Sequence, residues 1–186
     1  MESGFLATLL RLKWWFLVCL AILGQLAFTW WAAAKPDHHP TWGRIITFPM
    51  WPPYADLRAM TSGWDEVAAG RDPLRLEPGA PSYNYPRLWL LGGRLGLDSG
   101  ATSWLGNGLI AAFGLCVAAG AWLAPRWTAL LFIGLLAAPP TWLGLERGNT
   151  DLFIFVLLTL ALLPGPKSSP RLAWAVGAVL VAAFLK

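Results

Sequence analysis

The stretch from Phe48 to Pro86 reads FPMWPPYADLRAMTSGWDEVAAGRDPLRLEPGAPSYNYP. It is the only long polar passage in an otherwise apolar chain of 186 residues, and apolar segments flank it on both sides. Half of the ten acidic residues fall within it: Asp56, Asp65, Glu66, Asp72 and Glu77. We expect the flanking segments to lie in a membrane and to hold this loop at a surface, where the loop does the chemistry.

Composition places the chain among integral membrane proteins. Hydrophobic residues make up 56% of it and charged residues only 13%, whereas about a quarter of the residues of a soluble domain are charged. The 13 tryptophans favour a bilayer interface, where an apolar ring and a polar N–H are both accommodated. The net charge of +4 comes largely from cations beside apolar runs, so we expect the lipid bilayer, and no nucleic acid, as a partner.

Neither cysteine nor histidine spacing indicates a metal or a cofactor. Cys19 and Cys116 lie inside apolar runs and are interpreted as small buried hydrophobes, with no CxxC spacing. His38 and His39 are adjacent, so they would not face one another on a helix, and no third ligand is near in sequence. A solvated loop is therefore favoured over a metal site.

The first apolar run, Trp14 to Ala34, is interrupted only by Gln25 and Thr29. It exceeds the roughly 20 residues that a spanning helix needs. Arg11 and Lys13 just before it predict a cytoplasmic N-terminus in the inner (plasma) membrane. A cleaved signal peptide is the competing interpretation, because three alanines end the run, but signal cores are usually only about 7–15 residues long.

Residues 35–100 are then expected outside the membrane, with short interfacial helices. Residues 55–69 predict an amphipathic helix ended by Gly70. Its apolar stripe at helical spacing is Leu57, Met60, Trp64 and Val67. Pro86 suits the first position of a second helix through Arg87–Leu97, which is too short to span and is interpreted as interfacial or re-entrant.

Four further apolar runs complete the predicted topology: 102–124, 127–145, 152–163 and 172–185. The adjacent Pro139 and Pro140 should break or kink the second of these. With five spans, five cations beside the apolar runs fall together on the cytoplasmic side: Arg11, Lys13, Arg126, Lys167 and Arg171. The sequence thus predicts an all-α, polytopic protein whose residues 1–186 form one multi-pass domain. Five spans enclose little volume, so we expect this domain to be the N-terminal fragment of a longer protein.

Asp56 has two interpretations that can coincide. As the residue before Leu57 it could cap the amphipathic helix, a role that Asp often fills. As a carboxylate at a membrane surface it could be a general base, its basicity tuned by partial loss of water.

The run Glu146-Arg147-Gly148-Asn149-Thr150-Asp151 puts three charges between two apolar segments. A charge at the centre of a bilayer costs roughly 2.5–3.5 kcal/mol, so these side chains must lie at the boundary or line a wet cavity. One interpretation is an ordinary hairpin turn in which Asn149 or Asp151 caps the next helix. The other is a site beside the broken helix, in which Arg58, Arg87 or Arg147 grips a phosphate; contact with lipid headgroups is the alternative for these arginines.

The order of the polar motifs carries a family resemblance. PYADLR at 53–58 is followed by GRDP at 70–73, NYPR at 84–87 and ERGNTD at 146–151. This order resembles the N-terminal part of polytopic GT-C glycosyltransferases, and among them the family-87 membrane mannosyltransferases. The resemblance covers most of the chain from Trp14 onward and implies an all-helical membrane fold.

The same resemblance implies sugar transfer from a polyprenyl-phosphate sugar to a hydroxyl of a glycan or glycolipid acceptor, on the extracytoplasmic side. Asp56 resembles the family's catalytic base. The expected substrate-binding residues are Arg58, Tyr85, Arg87, Glu146, Arg147, Asn149 and Asp151. A non-catalytic membrane protein, either part of a transporter or a lipid-binding scaffold, remains the alternative.

Overall fold

The computed structural model describes residues 2–34, 53–75, 83–123 and 128–162, and every regular element in these ranges is helical. The helices are α1 (Glu2–Ala34), α2 (Ala55–Ala68), a 3₁₀ turn (Arg87–Leu90) leading into α3 (Leu91–Arg94), a 3₁₀ turn (Ser99–Ala101) leading into α4 (Thr102–Leu123), α5 (Thr128–Ala137), α6 (Pro139–Arg147) and α7 (Thr150–Leu162). The all-α prediction is confirmed for this part of the chain. The predicted span at 172–185 lies outside the described residues.

Among the described helices, one is both long and apolar enough to cross a membrane, the 24 residues Ser99–Trp122. Two shorter apolar helical stretches are Trp15–Trp31 and Thr150–Ala161. Helix α1 begins at Glu2 rather than at Trp14, because the residues ahead of the apolar run are rich in good helix formers and contain no proline. All five expected spans stay predictions, and the helix of spanning length coincides with the expected span 102–124.

The core lies where α1, α4 and α7 pack together. Val18 and Ile22 of α1 and Val117 of α4 are buried. The rings of Phe113 in α4 and Phe155 in α7 lie 5.2 Å apart between centroids. Helix α4 therefore packs against both α1 and α7.

The predicted break at the proline pair is confirmed. Helix α5 ends at Ala137, Ala138 is extended (φ −68°, ψ 135°), and α6 starts at Pro139. Proline has no backbone N–H, so Pro139 and Pro140 cannot donate to the carbonyls four residues earlier. Those carbonyls belong to Leu135 and Leu136.

Polar side chains donate hydrogen bonds to both of these carbonyl oxygens. Gln25 Nε2 of α1 donates to Leu136 O at 2.9 Å, and Gln25 is buried. Thr141 Oγ1 donates to Leu135 O at 2.7 Å. Buried backbone polar groups are almost always paired, because an unpaired one is costly. Gln25, which interrupts the first apolar run, therefore links α1 to the broken helix by a hydrogen bond.

Helix α2 and the segment 87–95 form a second layer beside the N-terminal end of α4. The predicted apolar stripe of α2 is confirmed in Leu57, Met60 and Trp64, which are buried, and Gly70 follows the helix with φ 74°. Trp64 Nε1 donates to Trp89 O. A Cβ on Gly93 would lie 2.8 Å from Trp64 O, so only glycine allows this approach.

The second loop helix is shorter than predicted. Pro86 precedes the 3₁₀ turn instead of occupying a helical position, and α3 ends at Arg94 rather than at Leu97. The left-handed backbone of Gly96 (φ 82°) and the hydrogen bond from Leu97 N to Gly92 O, at 3.0 Å, end the helix there.

The proline break predicts a rescue experiment. Gln25→Leu should lower the free energy of unfolding by about 1–3 kcal/mol, because it leaves the Leu136 carbonyl buried without a donor. Pro140→Ala supplies a backbone N–H that can donate to the same carbonyl. In the Pro140→Ala background, Gln25→Leu should therefore cost clearly less, as thermal unfolding of the purified protein in detergent can measure. An equal cost in both backgrounds would show that Gln25 stabilises something other than this carbonyl.

Candidate functional site

The candidate site is organised around Tyr54, which precedes the first turn of α2. Its backbone is left-handed (φ 64°, ψ 42°), a conformation that is uncommon outside glycine. Tyr54 N donates to Glu146 O at 2.8 Å, and Tyr54 O accepts from Arg58 N at 2.7 Å. The backbone of Tyr54 thus joins the start of α2 to the end of α6.

The prediction that Asp56 caps α2 is wrong. Tyr54 is the N-cap residue, and no side chain caps this terminus. The bond to Glu146 fixes the backbone of Tyr54 and so starts the helix one residue before Asp56. Asp56 is the second residue of the first turn, near the positive end of the helix dipole, and its carboxylate is left for other interactions.

The turn between α6 and α7 packs directly on the start of α2. Gly148 ends α6 in a left-handed conformation (φ 62°), and a Cβ there would lie 3.1 Å from Leu57 Cβ and 3.3 Å from Tyr54 Cβ. Asn149 Oδ1 accepts from Asp151 N at 2.8 Å, which confirms the expected cap of α7 by Asn149. Residues 146–151 can therefore form an ordinary turn and also lie close to Asp56.

The side chain of Tyr54 connects this region to α4. Its ring is buried and faces Gly106, where a Cβ would lie 2.8 Å from the ring. Its hydroxyl donates to Asn107 Oδ1 at 2.8 Å. Burial raises the pKa of Tyr54 to about 12, so the hydroxyl keeps its proton and acts as a donor.

Asp56 is half-buried, and three neighbours act on it. Burial raises the pKa of Asp56; the charge of Arg147 lowers it, and the charge of Asp151 raises it. Tyr85 donates from its hydroxyl to the backbone carbonyl of Asp56 at 3.0 Å. Burial, and next the charge of Asp56, raise the pKa of Tyr85 to about 12. The structure therefore brings together Asp56, Tyr85, Arg147 and Asp151, which the sequence separates by up to 95 residues.

A cavity of about 280 Å³ lies between α4, α6 and α7. Arg147, Asn149 and Asp151 supply its polar wall, and rings such as those of Phe113 and Phe155 supply its apolar wall. An apolar pocket with a few polar groups is the usual form of a small-molecule site, and this volume is close to the lower end of the common range, roughly 300 Å³. Glu146 is buried just before these residues in the chain.

Two of the predicted phosphate-binding arginines are engaged elsewhere. Arg58 Nε donates to Pro53 O at 2.9 Å and so stabilises the approach to α2. Arg87 Nη2 lies 3.2 Å from Asp72 Oδ2 in an exposed ion pair. Of the three arginines, Arg147 is the one whose charge acts on Asp56.

Nothing in the described ranges forms a metal site: no group of three His, Cys, Asp or Glu side chains is placed to hold an ion. His38 and His39 lie outside those ranges. Sequence reasoning missed Tyr54 and Asn107; a lone amide inside an apolar run is the signal that could have found Asn107. Comparison with protein-family models, with curated proteins and with solved structures found no match for this chain.

Proposed function

We propose that the chain is the N-terminal part of a GT-C-like membrane glycosyltransferase. It transfers a sugar such as mannose from a polyprenyl-phosphate-linked donor to a hydroxyl of a glycan or glycolipid acceptor, on the extracytoplasmic side. One observation carries the proposal: the half-buried carboxylate of Asp56 is held beside Arg147 and Asp151, which line a cavity. A carboxylate of raised pKa next to the guanidinium group of an arginine suits proton removal close to a phosphate.

The proposal includes a multi-pass arrangement in the inner (plasma) membrane. In it α1, α4, the α5–α6 pair, α7 and residues 172–185 are the five spans, with the N-terminus in the cytoplasm and residues 35–100 outside. The exposed apolar side chains of α1 and α4 support this arrangement. Trp30 is 68% exposed and Leu115 is 71% exposed, and lipid would remove both from water.

In the proposed reaction, Asp56 takes the proton of the acceptor hydroxyl. The hydroxyl oxygen then forms a bond to the anomeric carbon of the sugar, while the bond from that carbon to the phosphate oxygen breaks. The lipid phosphate leaves with the electron pair. Arg147 stabilises the departing phosphate, since a guanidinium matches phosphate oxygens in a two-pronged contact.

The broken helix favours a second candidate, part of a transporter. Discontinuous helices, such as α5 and α6 with the extended Ala138 between them, commonly form the substrate site of transporters. In that case Asp56 and Arg147 would bind a substrate that passes through unchanged. Sugar transfer or solute uptake by the unmodified protein separates the two candidates.

The first test is Asp56→Asn in the full-length protein. A positioned general base contributes typically about 10²–10⁴-fold in rate. We expect a loss of that size in sugar transfer with near-normal abundance, because the side chain of Asp56 does not cap α2. Transfer from a polyprenyl-phosphate sugar in membranes is the measurement.

Matched controls are available in the same loop. Asp65 accepts from Ser99 N at 2.9 Å and Asp72 pairs with Arg87, so Asp65→Asn and Asp72→Asn should keep most of the activity. Full activity in Asp56→Asn would exclude Asp56 as the base. Altered uptake of a solute, with no sugar transfer by the unmodified protein, would favour the transporter.

The charges around Asp56 predict opposite shifts of the pH profile. A base works when it is ionised, so activity is lost as the pH falls through the pKa of Asp56, which burial holds above the ordinary aspartate value of 3.8. Asp151→Asn removes a like charge and should move the acid limb of kcat/KM to lower pH. Arg147→Gln removes an opposite charge and should move the limb to higher pH. Shifts of the same sign, or no shifts, would show that this limb does not report Asp56.

Orientation is tested by single-cysteine labelling in a background lacking Cys19 and Cys116. Ser62 is exposed on α2 and Ser168 lies in the predicted cytoplasmic segment. An impermeant maleimide should label Ser62→Cys in intact cells and should label Ser168→Cys only after permeabilisation. The reverse pattern would invert the proposed topology.

A further inference from the structure

The segment 87–95 is apolar on both of its faces. Leu90 and Gly93 are buried, and Gly93 packs against Trp64 of α2. On the outer face, Leu88 is 42%, Leu91 45% and Leu95 80% exposed. The outward face of a short surface helix in water is normally polar. These three leucines, the leucine row, therefore form an apolar surface that no other described element covers.

Positive charge borders the leucine row. Arg87 and Arg94 are both exposed. The ion pair of Arg87 with Asp72 balances one of these charges, and within the described part of the chain Arg94 is in no salt bridge. Apolar side chains beside an unbalanced cation fit the boundary of a bilayer, where acyl chains lie below anionic phosphates.

The leucine row also lies close in sequence to the helix of spanning length. Leu95 is four residues before Ser99, where the helix of spanning length begins, so their Cα atoms are within about 15 Å. Trp104, a few residues into that helix, is exposed, as is typical of the aromatic belt at a membrane interface. The segment therefore sits close to where the chain would leave the hydrocarbon core.

We propose that Leu88, Leu91 and Leu95 insert into the interface of the outer leaflet and that Arg94 binds the phosphates of anionic lipids there. Helix α2 is bound to this segment by Trp64, through the hydrogen bond to Trp89 O and the contact with Gly93. The inserted leucine row thus fixes the depth of α2, and with it the depth of Asp56, relative to the bilayer surface. The inference rests on the proposed membrane location and is independent of sugar transfer.

The test uses full-length protein in vesicles of phosphatidylcholine and phosphatidylglycerol, with one bimane-labelled cysteine at a time in a background lacking Cys19 and Cys116. Leu95→Cys probes the leucine row. Leu115→Cys, on an exposed position of α4, is the control for hydrocarbon, and Ser62→Cys, on the exposed face of α2, is the control for water. Quenching by lipid-borne nitroxides is compared with quenching by aqueous iodide.

We expect a label at residue 95 to be quenched most by a nitroxide near the headgroup, a label at 115 by a nitroxide deep in the acyl chains, and a label at 62 by iodide. Iodide quenching at 95 together with lipid quenching at 115 would overturn the docking while leaving the membrane location intact. Iodide quenching at 115 would overturn both. Protection of residue 95 from both quenchers would show that protein, such as a second copy, covers the leucine row.

The proposed binding of lipid phosphates by Arg94 is tested by comparing lipids that differ in headgroup charge. One arginine near an anionic surface contributes about 1 kcal/mol, or about fivefold in affinity. Arg94→Gln should therefore weaken binding of fluorescent phosphatidylglycerol to the purified protein by about fivefold, with little change for phosphatidylcholine. Arg71→Gln is the matched control, because Arg71 is exposed but paired with Glu66. Equal effects of the two substitutions would exclude a specific role for Arg94.

Discussion

The hydrogen bond from Tyr54 N to Glu146 O is the contact on which the candidate site depends. It holds the start of α2 against the end of α6, although the two residues are 92 positions apart. A left-handed non-glycine residue costs roughly 1–3 kcal/mol and persists only when its surroundings require it. Here the backbone bonds to Glu146 and Arg58 and the side-chain bond to Asn107 all fix Tyr54 in that conformation.

Because the start of α2 is fixed in this way, the electrostatics of Asp56 follow from geometry. Its carboxylate is half-removed from water, with an attractive charge from Arg147 and a repulsive one from Asp151. Loss of water and repulsion both favour the protonated acid, whereas attraction favours the ionised form. The balance leaves a carboxyl group of raised pKa beside two residues that line a cavity, Arg147 and Asp151. Gly148 is the residue whose small size lets the two elements approach.

Patterns within short segments of the sequence predict much of the fold. The spacing of Leu57, Met60 and Trp64 together with Gly70 gave the limits of α2, and the proline pair gave the break after α5. The rest depended on contacts between distant residues. Local sequence alone predicts that Asp56 caps α2, whereas the actual start of the helix is set by the hydrogen bond from Tyr54 N to Glu146 O. The packing of Trp64 on Gly93 is likewise a contact that no pattern within residues 86–97 reveals.

The contact between Gln25 and Leu136 gives the order of the helices along the chain a role in biogenesis. Gln25 emerges from the ribosome 111 residues before Leu136. Its amide is thus already in place when the proline-broken helix arrives with a carbonyl that has no donor of its own. In hydrocarbon an unpaired carbonyl costs several kcal/mol, so a helix with this defect is poorly suited to enter lipid first. In the proposed membrane location, an early helix that supplies the missing donor allows a later, broken helix to be built into the same protein.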